Sequence, residues 1–222
     1  RDTDRSRGLG DVYKRQVDKL NEVKSIIEEK GSVCETFIGD MGNYSDVQKM
    51  FDMCLQRFGQ VDVLINNAGI SVVGLFQDMG ENEWHRICNT NIDSVFNCCH
   101  FAVKDMMKRH CGKIINISSV WGLYGASCEV AYSATKGAVN SFTKALAKEL
   151  APSGIQVNAV ACGAIDTEMN GHLSDDDKAS LAEEIPAGRF GSPQEVAKLV
   201  KSLSGMNSYL TGQIITLDGG WI

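Results

Sequence analysis

The sequence predicts an α/β fold, a Rossmann-like doubly wound parallel sheet in a single domain, and three observations carry that reading. Short apolar runs alternate with longer segments whose apolar residues recur at three- and four-residue steps. Helix-starting patterns, a serine with Gln, Asp or Glu three residues on, open several of the longer segments. The short runs end in small or polar residues of the kind that turn the chain. Each parallel strand pair needs a crossover, and strand–helix alternation supplies it with helices on both sheet faces.

In chain order, VDKLNEVKSIIEEKG reads as a helix stopped by Gly31, and VCETFIGD as a short strand running to Asp40. Ser45 with Gln48 forms a capping box for a helix through VQKMFDMCLQRFG. VDVLINNAG reads as a buried strand ending in a turn, EWHRICNTNIDSVFNCCHFAVKDMMKR as a long or broken helix, and KIINISS as the next strand. From Ala131 to Ala151, AYSATKGAVNSFTKALAKELA is an amphipathic helix of about five turns, and the strand IQVNAVAC follows. Ser174 with Asp177 starts a small helix, Ser192-Pro193-Gln194-Glu195 caps another, and QIITLDGG is the last strand. Ligands of such sheets bind beyond the carboxyl ends of the strands, so Asp40, Asn67 to Gly69, Ser118 to Ser119 and Cys162 to Thr167 are expected to face one crevice.

With 222 residues, 43% of them hydrophobic, the chain can bury one substantial core. Its formal net charge of -6 argues against nucleic acid, which demands concentrated basic surface. No apolar run approaches the roughly 20 residues of a membrane helix, and no hydrophobic leader stands at the start, so a cytoplasmic location is expected. Eight cysteines show no C-x-x-C spacing and sit in apolar segments as small hydrophobes, implying a reducing compartment. Cys98, Cys99 and His100 are consecutive, diverge by about 100° each on a helix, and so do not converge on a metal.

Chemistry concentrates where Tyr132 and Lys136 open the long helix on one shared face. A helix start disfavours lysine, because that end of the macrodipole is positive. A tyrosine, with an ordinary pKa of about 10, is a poor acid at neutral pH. An ammonium one turn away and the positive helix end both favour the phenolate, which makes Tyr132 a candidate general acid or base. Ser119, at a strand end, can donate to the same substrate oxygen, and Asn91 can complete a polar relay. Alone, a Tyr and Lys at this spacing are usually a solvated helix face, and paired serines are usually turn residues. Their joint appearance at strand ends, together with NNAG, favours a site.

NNAG at Asn66 to Gly69, Asn91 in TNIDSVF, the ISS ending in Ser119, Tyr132-x-x-x-Lys136 and VNAVACGAIDTEM together resemble the short-chain dehydrogenases/reductases over residues 17 to 222. The resemblance implies a catalytic tetrad of Asn91, Ser119, Tyr132 and Lys136. Tyr132 would protonate a carbonyl oxygen as nicotinamide delivers hydride, Ser119 would orient that oxygen, Lys136 would bind the nicotinamide ribose and lower the Tyr132 pKa, and Asn91 would hold a relay water. It also implies that Asp40 and Met41 contact adenine, that Asn67, Ala68, Gly69 and Gly163 run along the cofactor, and that Ile165 and Thr167 meet the carboxamide. NADP(H) is the cofactor by analogy with reductases of this type, NAD(H) remaining open. Homodimers or homotetramers are implied as well, through the flat helix face of Gly137, Ala138 and Ala145 and the last strand.

The likeness breaks at the start. The family opens with a strand, a glycine-rich TGxxxGxG turn and a helix, whereas RDTDRSRGLGDVYKRQ is too short for a βαβ opening, which takes roughly 30 residues. Arg7-Gly8-Leu9-Gly10 echoes that turn by chance, and residues 1–16 are expected to be a non-native or mis-joined segment ahead of a truncated domain at 17–222 lacking that first strand, turn and helix. Cys162-Gly163 also replaces the usual Pro-Gly.

Within the family, LAKELAPSGIQVNAV, IPAGRFGSPQEVA and YLTGQIITLDGG resemble the bacterial 3-oxoacyl-acyl-carrier-protein reductases. WGLYGASCEVAYSATKG resembles the elongation factor P 5-aminopentanone reductases, which reduce a ketone on a modified lysine. The loop from Trp121 to Val130 must border the substrate through Trp121, Tyr124, Cys128 and Glu129, and the Glu129 carboxylate would attract an ammonium-bearing substrate. Acyl carrier protein and elongation factor P are thus alternative bearers of the ketone, and a non-catalytic scaffold that keeps the fold is the alternative of another class.

Overall fold

The computed structural model describes residues 17–171, 173–205 and 209–222, so the glycine echo at 7–10 and the rest of 1–16 lie outside the described residues. Contacts divide the chain into two compact units, Arg1–Asp40 and Met41–Ile222. In the first, helix α1 covers residues 17–29 and is closed by Gly31 in the left-handed conformation that glycine adopts without strain (φ +81°). The segment VCETFIGD forms no strand. An extended run becomes a strand only through ladder hydrogen bonds, and the described part of this unit offers one helix and no second strand.

The second unit holds a parallel sheet of β1 (Val63–Asn66), β2 (Gly112–Ser119), β3 (Ile155–Cys162) and β4 (Ile214–Leu217), in that spatial order. Register runs Asn66 to Asn116, Ser119 to Cys162 and Cys162 to Leu217, so the carboxyl ends of β2, β3 and β4 line up. Helix α2 (Tyr44–Phe58) leads into β1, and helices α3 (Glu81–Cys88), α4 (Ser94–Arg109), α5 (Trp121–Tyr124), α6 (Val130–Leu150), α7 (Asp175–Glu184) and α8 (Pro193–Gly205) connect the strands. On one face Ile114 and Val157 pack with Phe51, Val95, Met106, Val139 and Leu150; on the other, Ile115 and Val160 pack with Val200 and Leu203 of α8. Strand alternation thus feeds two apolar layers.

Two expectations are corrected here. The cap of α2 is Asn43, whose Oδ1 accepts from Ser45 N (3.0 Å) and Asp46 N (3.2 Å), rather than a Ser45–Gln48 box; one amide oxygen satisfies two orphan donors at once. Among the described residues β1 is not a buried strand: it is a sheet edge whose Val63 and Ile65 are 37% and 47% exposed. The long helix after residue 81 is broken by a π-helical turn at Asn89–Asp93.

A polar ladder crosses the core. Asn66 Nδ2 donates to Asn116 Oδ1 (2.8 Å), Asn116 Nδ2 to Thr143 Oγ1 (2.8 Å), and Thr143 Oγ1 to the Val139 carbonyl (2.8 Å), tying β1, β2 and α6 together. Urea denaturation should find Asn43→Ala destabilised by about 1 kcal/mol through the lost cap, and Ile114→Ala, at a fully buried position, by about 3 kcal/mol.

Candidate active site

Ser119 ends β2 beside Cys162, which ends β3, and α6 begins with Tyr132 in its first turn and Lys136 a turn later. Lys136 is 4% exposed, and its Nζ donates to the Ile117 carbonyl at 2.8 Å. Ser118 Oγ donates to the Lys136 carbonyl at 3.3 Å, so β2 grips both ends of that residue. Gly122 lets α5 press on α6: a Cβ there would stand 2.6 Å from the Lys136 carbonyl carbon. Nζ also lies 5.6 Å from the centre of the Tyr132 ring.

Burial governs the electrostatics. It pushes the Tyr132 phenol up to about 12; the hydrogen bond with Ser119 opposes the shift, and the charges of Glu129 and Cys162 add to it. Burial also pulls Lys136 down to about 8, against the opposing pull of Cys162. The expected lowering of the Tyr132 pKa by Lys136 does not prevail, because the ammonium is aimed at the Ile117 carbonyl and the phenol is desolvated. Cys162 is itself pushed up to about 11 by burial, with Lys136 opposing, so it stands as a neutral thiol at pH 7.

Asn91 sits fully buried in the π-helical turn. Its Oδ1 accepts from Ile70 N (2.8 Å), and its Nδ2 donates to Ile70 O (2.9 Å) and Thr135 Oγ1 (3.1 Å). Both amide donors are therefore given to protein acceptors. Thr135, which sequence reasoning missed, passes its own proton to the Tyr132 carbonyl at 2.9 Å and so joins Asn91 to the start of α6. The signal was present in the Tyr132-to-Lys136 turn: a helical threonine readily bonds back to a carbonyl three or four residues earlier.

Asn67, Ala68 and Gly69 follow β1, and a Cβ on Gly69 would lie 3.3 Å from Lys136 Nζ and 3.5 Å from Asn91 Oδ1. Gly163 donates its N–H to Leu217 O at 2.9 Å and has no room for a side chain against Asp218. Ile165 bridges to Gly191, and exposed Thr167 reaches back to the Ile165 carbonyl at 3.5 Å. In the bordering loop, Trp121 packs edge-on against Trp221, Tyr124 is 62% exposed, Cys128 is half-buried with φ +61°, and half-buried Glu129 accepts from Ser71 Oγ. Met41 opens the second unit, its carbonyl accepting from Asn97 Nδ2 at 3.1 Å, whereas Asp40 closes the first unit.

The donor set suits a nicotinamide ribose. A lysine ammonium has three N–H donors; among the described residues one reaches a carbonyl, leaving two for vicinal hydroxyls in the space that Gly69 keeps open. A parallel α/β sheet with this cluster at its carboxyl edge defines an NAD(P)-dependent oxidoreductase. The short chain dehydrogenase model matches residues 11–178, and the chain belongs to that family. It is 39% identical over 214 residues to the 3-oxoacyl-acyl-carrier-protein reductase FabG of Thermotoga maritima, covering 96% of this chain and 86% of the relative. It is 38% identical over 201 residues to the enzyme of that name from Salmonella typhimurium, covering 90% and 82%. Among solved structures it resembles a gluconate 5-dehydrogenase from Burkholderia cenocepacia in complex with NADP and tartrate (TM-score 0.85, 31% identity, 90% and 80% covered). It also resembles ElxO with NADP bound (TM-score 0.77, 36% identity, 82% and 76% covered).

The lowered Lys136 value makes stability depend on pH. Its folded value of about 8 lies below the ordinary 10.5, so as pH rises the native state sheds this proton before the unfolded chain does. The cost of burying the charge is fully present below pH 8 and disappears by about 10.5. Between about pH 7.5 and 9.5 the wild type should therefore gain about 2 kcal/mol relative to Lys136→Met, as read by urea denaturation of both at each pH.

Proposed function

We propose that the chain is an NADPH-dependent ketone reductase acting on 3-oxoacyl groups of the kind carried by acyl carrier protein. The observation that carries the reading is the buried Tyr132 phenol, hydrogen-bonded with Ser119 at the end of β2 and one helical turn from a buried lysine. The reductases it resembles along most of its length supply the substrate class, and the NADP-bound neighbours supply the cofactor.

The bound nicotinamide supplies hydride to the carbonyl carbon. Ser119 donates a hydrogen bond to the carbonyl oxygen and fixes its position. Tyr132 gives its proton to that oxygen as negative charge develops there, which completes the alcohol. Lys136 holds the ribose hydroxyls with its remaining donors, and Asn91 holds the relay end of α6 through Ile70 and Thr135. Met41 serves the adenine side, Asn67 to Gly69 and Gly163 line the cofactor, and Ile165 and Thr167 meet its carboxamide.

A second reading, reduction of a ketone on a modified lysine of elongation factor P, is favoured by Glu129, a half-buried carboxylate three residues before Tyr132. Acetoacetyl thioester tested against the 5-aminopentanone-modified factor separates the two. We place the protein in the cytoplasm and read it as a homo-oligomer through α6, where Ala134, Ala138 and Ala145 are exposed and leave a flat face. Light scattering at micromolar concentration should give a dimeric or tetrameric mass; a monomeric mass refutes that part.

With acetoacetyl thioester, NADPH oxidation should fall about 10³-fold in Tyr132→Phe while NADPH binding is retained. Equal turnover by the variant would remove Tyr132 from the chemistry, and turnover of neither protein with NADPH still bound would move the reading to the modified factor.

A further inference from the structure

We infer that Ser71 and Glu129 are positioning residues for the proposed reduction, closing a hydrogen-bonded ring that fixes the first turn of α6 against the loop after β1. The inference rests on the reductase reading of Tyr132 and names what holds that residue in place.

The ring can be followed atom by atom. Asn91 Nδ2 donates to Thr135 Oγ1 (3.1 Å), and Thr135 Oγ1 donates to the Tyr132 carbonyl (2.9 Å). In the other direction Asn91 takes Ile70 by both its N–H and its carbonyl (2.8 and 2.9 Å). The next residue, Ser71, donates its Oγ proton to Glu129 Oε1, and the Glu129 carbonyl accepts from Ser133 N at 2.8 Å, back inside the first turn of α6. A second tie runs beside it: Gly74 N donates to Cys128 O at 2.8 Å. Cys128 is held at φ +61°, a conformation costly for a residue with a Cβ and kept only where its surroundings over-determine it. The two loops on either side of the Tyr132 approach are therefore fastened at both Ser71–Glu129 and Gly74–Cys128.

Glu129 does more than fasten. It has no side-chain bond to its own helix start, which leaves α6 without a side-chain cap, and its carboxylate is spent across the gap on Ser71 instead. The charged and titratable groups facing Tyr132 are Lys136 from α6, Glu129 from its N-terminus and Cys162 from β3, with the Ser119 hydroxyl from β2. Of these, Glu129 is the anion, and it opposes loss of the phenol proton. Replacing it by glutamine keeps an acceptor for Ser71 and removes the charge.

The test has one arm that needs no turnover. Hydrogen exchange at the Gly74 amide should quicken about tenfold in Ser71→Ala and in Glu129→Ala, as expected when a local tie of about 1.4 kcal/mol is lost, and should return toward the wild-type rate in Glu129→Gln. The kinetic arm follows acetoacetyl thioester reduction. The two alanine variants should lose about tenfold in kcat with the KM for NADPH held, and Glu129→Gln should raise the rate of alcohol oxidation with the oxidised cofactor at fixed pH, since a phenol relieved of a neighbouring anion ionises sooner and oxidation draws on the phenolate. Unchanged exchange at Gly74 in both alanine variants overturns the ring, and an unchanged oxidation rate in Glu129→Gln overturns the charge role. Quickened exchange in the alanine variants, with wild-type protein reducing no ketone, would leave the ring standing and defeat the reductase reading instead.

Discussion

The architecture of the site depends on one costly placement, an ammonium group at the end of β2 with almost no access to water. Burying a cation is unfavourable unless it is paired or hydrogen-bonded. Lys136 meets that demand with the Ile117 carbonyl, and its own carbonyl is taken by Ser118. The placement works only because neighbouring backbone comes close. Gly122 brings α5 within a distance at which any side chain would strike the Lys136 backbone, and Gly69 leaves the volume in front of Nζ free. Gly69, Gly122 and Ser118, from two segments remote from each other in sequence, are thus explained by one lysine.

Such a cation has to stay where it is put, and the layer beneath it is built for stiffness. The Asn66–Asn116–Thr143 ladder is buried at every member, and each donor on it meets an acceptor in the strand or helix beside it. A polar chain of this kind costs stability if one member is removed and specifies register while intact. It runs from β1 through β2 to α6 two turns beyond Lys136, so the helix that carries Tyr132 is located by polar geometry as well as apolar packing. The π-helical turn at 89–93 belongs to the same design, since it sets Asn91 toward Ile70 and Thr135 and interrupts an otherwise regular helix at that point.

Much of this was legible because it is local. The strand Ile155–Cys162 matches its apolar run residue for residue, and the Ser174–Asp177 and Ser192–Glu195 starts appear as reciprocal hydrogen bonds. Tyr132, Lys136 and Ser119 could be singled out because helical spacing and a strand end place them together with NNAG, in motifs that as a set resemble a known family. What failed was decided by partners. Residues 33–40 have strand composition but no ladder to join among the described residues, and β1 has the composition of a central strand but lies at an edge. The Asn43 cap displaced an equally plausible serine by reaching two amides. Ser71 looked like any polar loop residue; its contact with Glu129 spans 58 positions, and no local pattern announces it.

The desolvated phenol has a direction built into it. At about 12, Tyr132 is ionised in only about one molecule in 10⁵ at pH 7. A general acid must start protonated, and an alkoxide forming on a reduced carbonyl is a far stronger base than a phenolate, so the proton transfer that reduction needs is favourable from the resting state. The reverse reaction asks for the phenolate first, in a pocket where burial and Glu129 oppose it and the Ser119 hydrogen bond supports it. On the proposed assignment of Tyr132 as proton donor, burial therefore keeps on the protein at neutral pH the proton that ketone reduction needs.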